Sequence, residues 1–440
     1  MFKTLINAFK MKDLRKKILF TFAMLVVIRF GSQLPIPGID PAYIESTLTN
    51  LLGSGGMSNF LDAFTGGSFL KMSVFALNIT PYITSSIIMQ LLTIAIPKLE
   101  EMQRDGEEGR KKIVAITRYV TVGLSLVESA AMAIGFGGNG LLVDYNAQNV
   151  ILVIAILTAG SAFLMWIGEQ ITEHGVGNGI SIVLVINIIS RLPNDFATLY
   201  KQFVSGASNV ATGVLAALII IAIVAGMIVI VVILNAGTRK IPVQYAKKVV
   251  GRKMVGGNST SIPLKVNTAG VIPIIFASSL MQFPIVISSL LGYKGTGVWA
   301  SALKYLNQNY WCSTATPIYT IGMLVYVVLV IFFAYFYTSI TFNPLEIANN
   351  MKKQGGFIPG IRPGKPTSDY LTQVLNYIIF IGACGLTFVG IVPFVFNGVF
   401  SADVSFGGTS LIIIVSVVLD TMKQIESQML VRNYKGFLDD

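Results

Sequence analysis

Uninterrupted apolar stretches of roughly 20 residues recur from one end of this 440-residue sequence to the other. A helix needs about 20 apolar residues to cross the hydrocarbon layer of a membrane, which is about 30 Å thick. The stretches are continuously apolar and do not alternate with polar residues, as the strands of a membrane barrel would. The sequence therefore predicts a helical membrane protein.

Ten such stretches can be delimited, of which the fifth is the shortest. With 53% hydrophobic and 12% charged residues, the chain is better described as one membrane-embedded unit than as several soluble domains. The first stretch follows basic residues, like a secretory signal, but it carries Arg29 and lacks a small-residue cleavage site, so we expect it to be retained. The predicted spans are approximately 18–34, 72–96, 113–136, 150–168, 180–192, 211–234, 268–291, 318–342, 371–396 and 408–430.

The basic residues are concentrated in alternate connections between the spans. If the N-terminus is cytoplasmic, 26 of the 32 Lys and Arg residues lie in inside segments. Loops rich in Lys and Arg stay on the cytoplasmic side, so we expect both termini there. The loop 239–265 contains no acidic residue, and RNA, an acidic protein or lipid headgroups would all suit its charge.

Ten spans with both ends inside permit two five-span halves of inverted topology, 1–205 and 206–440. Long inside loops at about 235–266 and 343–370 belong to the second half. In the first half, the outside connection 39–71 is long but too polar to cross the bilayer. It is either a re-entrant segment, which must be buried in protein or line a cavity, or an ordinary surface loop.

The residues typical of several kinds of enzyme are missing or misleading. His174 is the only histidine, which excludes a multi-histidine metal site and argues against a serine protease. The sequence GFGGNG at 135–140 matches a dinucleotide fingerprint, but it follows a membrane span instead of a strand. Arg29 and Glu128 are the notable charges within spans, too few for a proton relay. We expect no enzyme activity, no metal and no cofactor.

Six segments in this order resemble the bacterial SecY family. The resemblance covers nearly the whole chain, with one visible departure at Asn78, where a glycine is expected, and with an unexpected charge at Glu128. The segments are PIPGID at 35–40, FALNITPYITSSIIMQLL at 75–92, MWIGEQITEHGVGNGISI at 165–182, PLKVNTAGVIP at 263–273, FNPLEIANNMKKQGGFIPGIRPG at 342–364 and FGGTSLII at 406–413.

The resemblance implies ten helices in two inverted halves around a central pore, which conducts unfolded secretory polypeptides across the cytoplasmic membrane of a bacterium. A ring of aliphatic side chains would close the pore, and a re-entrant plug at about 58–69 would lie beside it. The implied ring consists of Ile79, Ile83, Leu184, Ile275 and Ile413. The implied plug residues include Ser58, Asn59, Phe60, Leu61, Phe64 and Phe69.

The resemblance also implies a lateral gate that releases transmembrane segments into lipid, between spans two and three on one side and seven and eight on the other. The residues assigned to this gate are Gln90, Thr121 and Asn267. The implied partners are SecE, SecG, the SecA motor ATPase, the ribosome, signal peptides, translocating chains and membrane lipids. Docking of SecA or the ribosome is assigned to Lys247, Lys248, Arg252, Lys253 and Arg362.

A secondary transporter for a small solute is the alternative, because inverted halves and broken helices suit that class too. An intramembrane enzyme is a more distant one, since no nucleophile with a base at a suitable spacing is evident.

Overall fold

The computed structural model describes residues 6, 8–40, 65–69, 71–205, 210–245, 248–250, 253–255, 259–290, 297–312, 317–400 and 408–435. Helices dominate this part of the chain. The first six helices are α1 (Lys12–Gly31), α2 (Thr80–Ala95), α3 (Pro97–Arg104), α4 (Glu107–Phe136), α5 (Ala147–His174) and α6 (Gly179–Leu199). The remaining seven are α7 (Val210–Ala236), α8 (Ile272–Leu290), α9 (Val298–Leu306), α10 (Ile321–Thr341), α11 (Pro344–Lys353), α12 (Lys365–Phe400) and α13 (Gly408–Lys435).

Six helices of the described residues are long and apolar enough to cross a membrane. A seventh crossing is possible through α2 and α3, which are bent by 106° at Pro97. The apolar part of α8, Ile272–Met281, is shorter, and α1 carries six charged residues. The predicted helical membrane fold is thus confirmed, and ten crossings are consistent with it.

Two helix starts follow directly from local sequence. The side chain of Asn178 accepts hydrogen bonds from the backbone of Ile180 and Ser181 at the beginning of α6. Asn343 does the same at the beginning of α11, where Pro344 occupies the first turn. Both asparagines satisfy backbone N–H groups that have no partner within the helix.

The fifth predicted span was too short. It was expected to end at residue 192, but α6 continues through Pro193 to Leu199. The proline and the polar residues around it are typical of a helix end. The helix nevertheless continues past them, and Asp195 is buried.

Five strands lie in the two long basic loops: β1 (Thr238–Tyr245), β2 (Lys248–Val250), β3 (Lys253–Val255), β4 (Ser259–Lys265) and β5 (Gly356–Phe357). One antiparallel sheet has the order β4-β1-β5, and β2 pairs with β3 in a separate hairpin. The pairing of Gln244 with Phe357 therefore joins two loops that lie more than a hundred residues apart in sequence.

The segment before α2 packs deeply among the helices. A Cβ at Gly160 on α5 would lie only 2.0 Å from the carbonyl oxygen of Val74, so glycine is required for this close approach. Farther along the chain, α6 packs against α13, and α4 contacts α8. These two contacts join elements of the two predicted halves.

Candidate functional site

The five residues assigned to the ring lie in one hydrophobic cluster, although they come from distant parts of the sequence. We call them the waist residues. Ile79 and Ile413 are at most 1% exposed and Leu184 is 8% exposed, while the other two are partly buried. The waist residues are Ile79, Ile83, Leu184, Ile275 and Ile413.

Four different elements supply these side chains. Ile79 and Ile83 stand at the start of α2, where Pro81 lies in the first turn. Leu184 belongs to α6, whereas Ile275 and Ile413 belong to α8 and α13. The cluster is therefore built from both predicted halves, and it contains only flexible aliphatic side chains at these five positions.

The backbone conformation of Asn78 explains why a glycine is expected at this position. Its φ is +52°, in the left-handed region that glycine adopts freely and that asparagine tolerates better than most residues. Its side chain is 1% exposed, and its Oδ1 accepts a hydrogen bond of 3.0 Å from the Nδ2 of Asn187 on α6.

Of the predicted plug, only the end that leads into the second span lies among the described residues. Ser58, Asn59, Phe60, Leu61 and Phe64 lie outside them. Phe69 is described and is 9% exposed, in the same core cluster as Met72 and Leu157.

The three residues assigned to the lateral gate are not brought together by hydrogen bonds. Gln90 is exposed on α2, and the buried Thr121 donates to the carbonyl oxygen of Thr117 on its own helix. Asn267 donates to the Oδ1 of Asn235 at 2.9 Å, within the second predicted half. Contact between α4 and α8 does occur along the predicted seam.

Asn267 is part of a polar joint that the sequence did not reveal. The Nδ2 of Asn235 on α7 donates to the Oγ of Ser416 on α13 at 2.9 Å. Nearby, the Nζ of Lys265 lies 3.3 Å from a carboxylate oxygen of Asp420. The segment before α8 is therefore linked by these polar contacts to α7 and α13. Asparagines at the ends of apolar spans, such as Asn235 and Asn267, are the signal that could have indicated this joint.

The docking residues fall on the two loops that the sheet joins. Lys247 and Arg252 lie outside the described residues, whereas Lys248 and Lys253 belong to β2 and β3. Arg362 is exposed, and its carbonyl oxygen accepts a 2.8 Å hydrogen bond from the Oγ1 of the buried Thr367. The backbone at Arg362 is thus fixed while its side chain faces outward.

A shared core holds the two basic loops together. Ile241 and Val243 of β1 pack in one cluster with Met351 and Ile358 from the other loop and with Leu371 of α12. The loops therefore form one structured basic surface.

Replacing Val243 by alanine should loosen this surface. Val243 is 1% exposed, and removal of two buried methyl groups costs about 1–3 kcal/mol when the cavity stays open. We expect faster amide hydrogen exchange at residues 356–358 as well as in β1. Lys240→Ala, at an exposed position of the same strand, is the control and should leave exchange unchanged. Faster exchange confined to β1 would contradict the shared core.

No group of three or more metal-ligating side chains occurs within the residues that the structure describes. Arg118 and Glu169 form an ion pair, with 2.7 Å between Nε and Oε1, that links α4 to α5. His174 is largely exposed and lies beside Glu173.

A sequence model of the SecY family matches residues 73–422 of the chain. The chain belongs to the SecY family. "Protein translocase subunit SecY" of Halalkalibacterium halodurans is 44% identical over 100% of both chains. The protein of that name from Streptomyces galbus is also 44% identical, over 98% of both chains. The resemblance seen in the sequence is thereby confirmed over the full length of these SecY relatives.

Solved structures of more distant proteins share the fold of this chain. "The structure of a protein conducting channel" matches with a TM-score of 0.64 and 20% identity, covering 94% of this chain and 92% of that one. Sec61 in the canine ribosome-channel complex from the endoplasmic reticulum gives a TM-score of 0.63 at 18% identity, with the same coverage. At such identities the matches support the architecture alone.

Proposed function

We propose that this SecY-family chain is the channel subunit of a protein translocase, which conducts unfolded polypeptides and is not an enzyme. The single observation that carries the proposal is the waist: five aliphatic side chains from four elements pack into one cluster between the two predicted halves. The relatives with full-length similarity are named translocase subunits.

An aliphatic waist suits this function physically. A narrow apolar constriction excludes water and thereby stops ions. Because aliphatic side chains are flexible and carry no charge, they can part around a polypeptide of any sequence. In this proposal the halves 1–205 and 206–440 surround the pore, and the plug segment ends at Phe69, which is buried in a neighbouring core cluster with Met72 and Leu157.

The seam between α4 and α8 is the proposed lateral gate. A hydrophobic segment of a translocating chain would leave through it, because an apolar helix is more stable in lipid than in a watery pore. Gln90, Thr121 and Asn267 remain the residues assigned to this gate, with Asn267 acting through its bond to Asn235.

The basic surface is the proposed docking site for the motor or the ribosome. It would face the cytoplasm of a bacterium, with both termini on that side of the inner membrane. SecE and SecG are the proposed companion subunits, and SecA or the ribosome would supply the driving force. The canine Sec61 structure is that of a ribosome-channel complex, which supports ribosome docking for this fold.

Reconstitution tests the proposal. The chain is placed in liposomes with SecE and SecG, and a secretory precursor is added outside. We expect the precursor to become protected from protease only when SecA and ATP are present, since the chain shows no nucleotide-binding loop of its own. Uptake of a small solute without these partners, and no protection of the precursor, would favour a transporter instead.

A further inference from the structure

A buried pair of amides lies directly beside the waist. Asn78 and Asn187 are 1% and 2% exposed, and a 3.0 Å hydrogen bond joins them. Asn78 immediately precedes Ile79, and Asn187 follows Leu184 by three residues on α6. Residues three apart on a helix share a face, so the pair is connected to two of the five waist residues.

The end of the predicted plug contacts Asn187 of this pair. We call residues 65–69 the seat segment. Gly66 has a φ of +66°, and a Cβ added there would lie 2.9 Å from the Cα and carbonyl oxygen of Asn187. The carbonyl oxygen of Gly66 accepts from the Nη1 of Arg29 at 3.4 Å and more weakly from the Oγ of Ser190 at 3.5 Å, since the Ser190 hydroxyl also donates to the carbonyl oxygen of Asn187 at 2.6 Å. Arg29, a charge in the first predicted span, thereby has a contact that explains its place.

The seat segment is held in place by close packing more than by strong hydrogen bonds. Bonds of 3.4 and 3.5 Å are near the outer limit for N–H and O–H donors. The Oδ1 of Asn187 is buried and has no hydrogen-bond partner among the described residues. A buried acceptor without a partner raises the free energy of the packed state. Such a contact can therefore be released at low cost when a translocating chain enters.

We infer that the Asn78–Asn187 pair is a latch that holds the seat segment against the waist while the channel is idle. The inference rests on the proposed channel function and adds two positioning residues to it. The bond links the side chain of Asn187, whose backbone Gly66 approaches, to the turn that carries Ile79. Loss of this hydrogen bond should make both the seat segment and the waist residues less tightly packed.

Asn78→Gly is the sharpest variant, because glycine adopts a φ of +52° without strain and only the amide is lost. In the complete complex with its companion subunits, we expect the idle ion conductance to rise roughly fivefold, the factor that corresponds to one buried hydrogen bond. Amide exchange at residues 65–69 should accelerate with it. The control is Asn149→Ala. It removes a 2.9 Å hydrogen bond from the side-chain amide of Asn149, at the start of α5, to the carbonyl oxygen of Asp144, and it should change neither measurement.

Asn187→Ala tests the same latch from the other helix, and alanine is the best helix former. If the two amides act through their mutual bond, the double variant should leak no more than the leakier single variant. If the conductance increases of the two single variants added up in the double variant, the two amides would not act through their mutual hydrogen bond. Unchanged conductance and unchanged exchange at residues 65–69 in both single variants, in a complex that still translocates precursor, would overturn the latch alone. An unmodified complex that moves no precursor would overturn the proposed function, and the latch with it.

Discussion

Ile275→Gly is expected to raise the ion conductance of the idle channel on the order of tenfold, the factor that corresponds to about 1.4 kcal/mol, near the value of one buried aliphatic side chain. Ile275 belongs to α8 and packs against the hydrophobic cluster that contains Ile79, Leu184 and Ile413. Glycine leaves a gap that water can fill, and a wetted constriction conducts ions. Conductance across a planar bilayer, with the companion subunits present and no precursor, measures the effect.

The matched control is Leu280→Gly on the same helix. Leu280 is 52% exposed, on a surface available to lipid, and its replacement imposes the same loss of helix propensity, about 1 kcal/mol. We expect conductance close to that of the unmodified protein. If both variants leaked equally, the effect would come from a weakened α8, and Ile275 would have to be removed from the waist.

The five waist residues are predicted from the sequence through the matching segments; the structure places them in one cluster, and their role as a pore ring stays a prediction. Ile79 and Ile83 lie in the segment FALNITPYITSSIIMQLL, and Leu184 is the second residue after MWIGEQITEHGVGNGISI. Once the order of the segments had indicated the family, each position followed from its neighbours. The helical membrane fold followed from the length of the apolar runs alone.

The sheet that joins the two basic loops could not be predicted in this way. Its central strand pairs with β5 through only two residues, Gln244 and Tyr245, and the partner strand follows four helices later. Such a pairing depends on three-dimensional proximity, which local pattern does not encode. The sequence therefore does not indicate that the two basic loops share one core, to which Ile241 and Ile358 both belong.

The buried amide pair was missed for a related reason. Asn78 was noticed only as a departure from glycine, and its partner Asn187 lies on α6, 109 residues away. A polar residue in an apolar span signals that some partner exists, but the sequence does not say which one. The left-handed φ of Asn78 shows why asparagine is acceptable at a position where glycine was expected.

Arg362→Glu is expected to reduce SecA-driven export of a precursor at least roughly 30-fold, because like-charge contact across an interface costs several kcal/mol. The side chain of Arg362 is exposed and forms no ion pair with the described residues, so it is available to an acidic partner. Its backbone is held by Thr367, at the start of α12, and the neighbouring Ile361 packs against the core of the basic surface. A guanidinium can bind a carboxylate or phosphate through two parallel hydrogen bonds.

Lys353→Glu distinguishes a specific contact from a general loss of positive charge. Lys353 is exposed at the end of α11 in the same loop, and its reversal changes the net charge by the same amount. We expect export to fall only slightly, and a higher salt concentration should weaken export by the unmodified channel and by this variant alike. The thermal stability of both variants should match that of the unmodified protein, since neither side chain is buried. Equal export defects in the two variants would show that the surface attracts its partner by charge alone, and Arg362 would then have no special role in docking.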